Sequence, residues 1–166
     1  MNRILFEKEH VKDIRNSFNS NLAMIQIMVN MPGPNKNIYP SYELFQLGIK
    51  SMLTYLKQNN IDIKNIYIIH SALGMIGFLQ INKDARYIKK ICIMLEQNNY
   101  LSKYWDIDVF NKMGIKISRN SMQLAARKCF ICDRPAKECC FLQRHSTEQL
   151  VDKIINDYNK FLCCKN

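Results

Sequence analysis

The sequence predicts an α+β fold: a mainly antiparallel sheet backed by helices, followed by a Cys-rich segment and a C-terminal helix. Three observations predict it. Apolar and polar residues alternate with period two in AMIQIMVN (23–30), IDIKNIYIIH (61–70) and YWDIDVF (104–110), as in strands with one buried face. Between the first two runs, apolar residues recur at helical spacing. The resulting order, β-α-β-β-α-β up to residue 110, is that of the split βαβ arrangement. A nucleotidyltransferase type of α+β fold, in which a strand carries Asp-x-Asp, fits the same order, and the sequence does not separate the two.

Residues 3–19 read as a helix, with Ile4, Leu5, Val11, Ile14 and Phe18 near helical spacing. In the first strand Ile25, Ile27 and Val29 share one face. MPGPNKNIYP follows, and its Pro and Gly make it a loop. Ser41 is placed to cap a helix to about Lys57, whose apolar stripe is Leu44, Phe45, Leu47, Met52, Leu53 and Leu56. The short SALG joins 61–70 to a strand at 75–81 as a hairpin. Residues 84–97 are read as a helix, although ICIML would also suit an extended run. After YWDIDVF, NKMG turns the chain into a further strand, IKIS (115–118). Ser146 caps an amphipathic helix, TEQLVDKIINDYNKF, with Glu148 in its first turn. With no internal repeat and no linker, residues 1–166 read as a single domain large enough to bury a core.

The composition is that of a globular protein, 48% hydrophobic and 23% charged. Gln, Asn or Lys interrupts every long apolar stretch before it reaches the length of a membrane span. MNRILFEKEH has acids where an export signal needs an apolar core. A soluble, unexported, cytoplasmic protein with no membrane partner is expected. Lys and Arg number 24 against 14 acids, a net charge of +10. That excess points to an anionic partner, whether nucleic acid, phosphorylated cofactor or acidic protein, or else to a surface merely rich in Lys. Of the seven cysteines, Cys139-Cys140 and Cys163-Cys164 are adjacent pairs. Without export, free thiols or metal ligands are expected in place of disulfides.

Three segments carry chemistry. Asp106 and Asp108 project from one face of a strand, roughly 7 Å apart at Cα. That spacing suits joint binding of a hard divalent cation such as Mg²⁺, whose remaining positions go to water and substrate phosphates. The competing reading is a solvated outer face of an edge strand. Glu96 is a third metal ligand, a general base for a hydroxyl nucleophile, or a solvated helix end. The loop NMPGPNK offers Gly33 for close backbone approach and Lys36 as a cation for phosphate; it lacks Walker A spacing, and a rigid turn is the alternative. Cys129 and Cys132 stand in C-x-x-C spacing, followed by Cys139 and His145. Three thiolates and an imidazole close a structural zinc site; otherwise they are thiols packed as small hydrophobes. Arg119, Arg127, Lys128, Arg134 and Arg144 crowd around them and suit an anionic ligand.

Together these segments resemble the apo-citrate lyase phosphoribosyl-dephospho-CoA transferases, the holo-acyl-carrier synthases of citrate lyase. The matching residues run from Pro32-Gly33-Pro34-Asn35-Lys36 through Glu96, Asp106-Ile107-Asp108-Val109 and Ile117-Ser118-Arg119. They continue with Arg127-Lys128-Cys129-Phe130-Ile131-Cys132, Ala136-Lys137-Glu138-Cys139 and His145. The likeness covers roughly residues 20–160. It implies transfer of the phosphoribosyl-dephospho-CoA part of 2'-(5''-triphosphoribosyl)-3'-dephospho-CoA to a serine of the apo citrate lyase acyl carrier (gamma) subunit. Pyrophosphate leaves. On this likeness Asp106 and Asp108 hold Mg²⁺ or Mn²⁺, and Glu96 ligates it or helps deprotonate the serine. Gly33, Lys36, Lys103, Arg119 and Arg127 contact the anionic nucleotide cofactor.

The chain departs from the family in two places. The usual H-P-L-G-R-L ahead of the acid pair reads Asn99-Tyr100-Leu101-Ser102-Lys103-Tyr104, so Lys103 keeps the charge without a bidentate contact. The usual S/T-G-P-E-G reads Ser71-Ala72-Leu73-Gly74-Met75. Two other functions stand beside the transferase. One is a non-enzymatic, zinc-stapled basic module binding nucleic acid or protein. It leaves the acid pair without a role, since acids on a basic binding face repel phosphate, and nucleic acid is therefore not the expected partner. The other is the related malonate decarboxylase carrier-protein transferase, which the Cys segment disfavours.

Overall fold

The computed structural model describes residues 3–18, 21–98 and 100–164, so Asn99 lies outside the described residues. Its elements are α1 (Arg3–Ser17), β1 (Ala23–Val29), α2 (Ser41–Gln58), β2 (Ile63–Ser71), β3 (Gly74–Ile81), α3 (Ala85–Asn98), β4 (Trp105–Phe110), α4 (Ala136–Phe141) and α5 (Thr147–Cys163). Short 3₁₀ turns occupy Ser102–Tyr104 and Asn120–Met122. The four strands lie in the order β2-β3-β1-β4, every neighbouring pair antiparallel. β1 and β2 are thus parallel to each other with β3 between them, and β3 and β4 are parallel with β1 between. That is the split βαβ arrangement, with α2 and α3 as its two connections.

Period two sorts the side chains to two faces. Ile25, Ile27, Leu79, Ile81, Trp105, Ile107 and Val109 pack with Leu44, Met52 and Leu56 of α2 and Ile88, Cys92 and Leu95 of α3. Helix α2 comes close to the sheet at Gly48, where a Cβ would stand 2.9 Å from the Trp105 indole nitrogen. That nitrogen donates to the Leu44 carbonyl at 2.9 Å, so the largest core side chain is fixed by both shape and hydrogen bond. The opposite face is covered by α1: Val11, Ile14 and Phe18 pack against Met24, Ile76, Phe78 and Phe110. This is why β1 is buried on both sides. No helix among the described residues is long and apolar enough to cross a membrane.

Most elements fall where the periodicity places them, and two do not. Ser41 is the first residue of α2 and not its cap; Pro40 precedes the helix and no side chain caps it. IKIS forms no strand and makes only the isolated Phe110–Lys116 bridge. The reason lies on the outer edge of β4. The Val109 carbonyl accepts from the Ile117 amide at 2.8 Å, but the next outward carbonyl, Ile107, is taken by the buried Lys89 ammonium at 2.7 Å. The one after, Trp105, accepts from Arg127 at 3.3 Å. With these carbonyls occupied by side chains, a fifth strand has no ladder to extend, and the edge is closed to pairing with another chain.

Helix α5 starts as its sequence predicts: Ser146 and Gln149 form a reciprocal capping box. Near its middle, Asp157 is fully buried and accepts from Lys103 at 2.8 Å, Lys153 at 2.7 Å and the Tyr104 hydroxyl at 2.6 Å. Burial raises its pKa, but hydrogen bonds from Lys103, Lys153, Tyr100 and Tyr104 outweigh this and hold it well below the usual carboxylate range. A depressed carboxylate stabilises the fold above its unfolded pKa, near 3.9, and that stability drains away as pH falls towards the folded value. Asp157→Asn should therefore cost about 1–3 kcal/mol in urea unfolding at pH 7. Its stability should also fall less steeply than the parent's below about pH 4; equal slopes would place the acid sensitivity elsewhere.

Candidate functional site

On β4 the core claims Trp105, Ile107 and Val109, so Asp106 and Asp108 must face α1, across from Met28 and Gln26 of β1. The Asp106 side chain is 41% exposed and that of Asp108 17%. Neither carboxylate is left unpaired. Arg127 donates through Nη1 to Asp106 at 3.0 Å and through Nη2 to Glu96 at 2.6 Å. Arg119 donates to the other oxygen of Glu96, and Lys116 to Asp108 at 2.6 Å. Glu96, near the end of α3, is almost wholly buried. Burial and the adjacent Asp108 push the Asp106 pKa up, and Arg127 and Lys116 offset this only in part. Acids and cations thus alternate in space, as charges brought this close inside a fold must.

Each Glu96 oxygen already accepts from a guanidinium, so a metal ion or a proton would have to share that oxygen with the arginine or displace it. Arg119 keeps one donor unused: its Nε is buried without a hydrogen-bond partner among the described residues. A buried orphan donor beside a cluster of acids is costly, and an incoming anion would satisfy it.

The loop 31–40 is anchored where β1 ends and β4 begins, by the Asn30 amide donating to the Tyr104 carbonyl at 2.8 Å. Gly33 has φ +78° and a Cβ there would meet Thr147 of α5 at 2.7 Å, so only glycine fits. Lys36 donates to the Met31 carbonyl; burial and the nearby Lys8 lower its pKa. Among the described residues Lys36 pairs with no carboxylate, and no hydrogen bond or ion pair joins this loop to the acid pair. Lys103 is bonded to Asp157 and lies over the rings of Tyr100 and Tyr104, 4.8 and 5.0 Å from their centroids.

The cysteines are free thiols. The ligand atoms of Cys129, Cys132, Cys139 and His145 all lie within 4.8 Å of one another, with Cys132 Sγ 3.4 Å from both Cys139 Sγ and His145 Nε2. This donor set fits a metal ion. Burial raises the Cys129 pKa, but the amides of Ile131 and Cys132 donating to its sulfur bring it below the ordinary thiol value. Burial and the neighbouring thiols push Cys139 up to about 12.

Some partners escape a sequence reading. Lys116 was placed in a strand and pairs instead with Asp108; the NKMG turn does bring it alongside β4, which was the available signal. Arg15 stacks over Phe110, 4.1 Å from the ring centroid, and reaches Gln26 at 3.4 Å. Nothing in the spacing of α1 says which face of the sheet that helix will cover. Buried Lys89 and Asp157 carry no local signature either.

A sequence model of the apo-citrate lyase phosphoribosyl-dephospho-CoA transferase family matches residues 1–161. The chain belongs to that family. It is 32% identical over 128 residues to the apo-citrate lyase phosphoribosyl-dephospho-CoA transferase of Citrobacter koseri, covering 77% of this chain and 70% of that protein. The protein of the same name from Escherichia coli O7:K1 is 32% identical over 131 residues, 79% of this chain and 70% of that one. "Protein CitXG" of Haemophilus influenzae is 32% identical over 124 residues, 75% of this chain but only 26% of that longer protein. The family match therefore spans both the acid pair and its basic surround.

Arg127 is the cation shared between Glu96 and Asp106, and removing it should register at Asp106. In Arg127→Ala the Asp106 carboxyl should titrate higher still than in the parent, because the guanidinium is the first influence holding it down. Carboxyl ¹³C shifts followed against pH read this directly; an unchanged titration would show that Arg127 does not bear on Asp106.

Proposed function

We propose that this chain transfers the phosphoribosyl-dephospho-CoA group of 2'-(5''-triphosphoribosyl)-3'-dephospho-CoA to a serine of the apo citrate lyase acyl carrier (gamma) subunit, in the cytoplasm. The serine Oγ bonds to the α-phosphorus, the bond from that phosphorus to the leaving pyrophosphate breaks, and the serine proton passes to a base. The observation that carries this reading is the family match across residues 1–161, in a chain whose paired acids share one face of β4 within a ring of cations. It favours transfer over a non-enzymatic basic module.

Asp106 and Asp108 offer hard oxygen donors on one face, the donor type of Mg²⁺ or Mn²⁺. Such an ion, when bound, neutralises charge on the transferred phosphoryl group and on pyrophosphate. The chain's own residues do the rest. Lys116, half exposed on a flexible stem, can release Asp108 as the acid pair is engaged. Arg127 can turn a donor from Asp106 to a phosphate oxygen while keeping Glu96, since its two terminal nitrogens bond them separately. The orphan Nε of Arg119 and Lys36, which is bonded to the Met31 carbonyl and to no carboxylate among the described residues, supply further anion contacts. Lys103 is 37% exposed and keeps donors to spare beyond its bond to Asp157. Glu96 holds Arg119 and Arg127 in place, and an opening of either contact frees it to take the serine proton. The Cys-His cluster suits a structural zinc, since its four protein donors leave no position for substrate.

Purified protein, Mg²⁺ and the triphosphoribosyl cofactor should raise the mass of apo carrier subunit by the transferred group. Asp106→Asn and Asp108→Asn should each lower the rate by on the order of 10²–10³-fold with circular dichroism unchanged. No mass shift with an active cofactor preparation would overturn the proposal.

A further inference from the structure

We propose that Cys129, Cys132, Cys139 and His145 form a closed zinc site whose task is to hold Arg127 against Glu96 and Asp106. The proposal rests on the metal reading of the cluster; only its last arm depends on the transfer reaction.

Tetrahedral zinc with thiolate and imidazole ligands sets neighbouring donor atoms about 3.5–3.8 Å apart. The observed 3.4 Å separations, and the 4.8 Å limit on all pairs, already bracket that geometry. The amides of Ile131 and Cys132 aim at the Cys129 sulfur, as outer contacts to a thiolate ligand do. The site is built on a small hairpin. The Ala136 amide donates to the Arg127 carbonyl at 2.8 Å, the Cys129 amide to the Arg134 carbonyl at 2.8 Å, and Lys128 bridges to Pro135.

Arg127 stands at the open end of this hairpin, two residues before the first ligand. Its side chain is the hairpin's polar link to the sheet, reaching Trp105 O, Asp106 and Glu96. The apolar link is Phe130, edge-on to Tyr104 at 4.8 Å between centroids. Helix α4, which carries Cys139, spans six residues and is too short to be stable by itself. Two backbone hydrogen bonds, the Lys128–Pro135 bridge and the packing of Phe130 on the core are what hold the hairpin that carries Arg127. A metal ion joining the first arm and the turn of the hairpin, through Cys129 and Cys132, to α4 and His145 makes it rigid.

Protein purified without chelator should carry about one zinc per chain, and its Co²⁺ form should show the visible absorption of a tetrahedral thiolate site. Cys132→Ser and His145→Ala should each reduce the zinc content. If the wild-type chain takes up no Zn²⁺ in competition with a chromophoric chelator, the site is wrong. After chelation of the wild-type chain, amide hydrogen exchange should quicken over residues 127–136 while β1 and β4 stay protected. Unchanged exchange over 127–136 would overturn the mounting role. In the transfer assay, stripping the metal should lower kcat by roughly 10–100-fold, to the level of Arg127→Ala. Stripping Arg127→Ala should cost nothing further; an equal second loss would show that the metal acts elsewhere. Metal content and exchange need neither cofactor nor carrier, so they decide the proposal even if no transfer is seen.

Discussion

One guanidinium, that of Arg127, is bonded to three groups on two elements: Glu96 at the end of α3, and Asp106 and the outward carbonyl of Trp105 on β4. The site depends on it. Taking a carboxylate such as Glu96 out of water costs on the order of several kcal/mol unless a counter-charge goes with it. Two arginines supply that counter-charge and so draw the segment after β4 back over the edge of the sheet. By contrast the Lys128–Asp133 pair lies in water and contributes little. Burial, rather than the number of ion pairs, decides which of them shape the molecule.

The same edge explains why the sheet stops at four strands. An unpaired outer strand invites a neighbour. Here an ammonium, a guanidinium and one amide take the successive outward carbonyls of β4. Cations that look from sequence like ordinary surface charge therefore do backbone work. Lys89, buried among apolar residues of α3, is the clearest case, because its pKa is lowered first by burial and the nearby Glu96 and Asp108 restore it only partly.

Much of the fold could be read from residues alone. The alternation in β1 and β4 and the stripe of α2 were visible because each has one face in a single large core, which enforces its period; β2 alternates too, but as an edge strand it leaves most of its side chains exposed. The same period showed that Asp106 and Asp108 share a face, and the spacing of Cys129, Cys132, Cys139 and His145 foretold their meeting. IKIS misled because an apolar-polar alternation does not reveal whether a free edge remains to pair with. Ser41 misled because the chain turns into α2 at Pro40, one residue earlier, with no side-chain cap.

By itself, the sequence determined the period of each element, the excess of positive charge, the acids two apart on a strand and the four metal-type donors. These are local properties, set by which side chains can follow one another on a strand, helix or loop. Only the tertiary structure decided which cation answers which acid. Arg119 and Arg127 meet Glu96 across 23 and 31 residues, and Lys103 meets Asp157 across 54. Pairings over such separations follow from how α1, α3 and α5 pack on the sheet, and packing depends on the whole core at once.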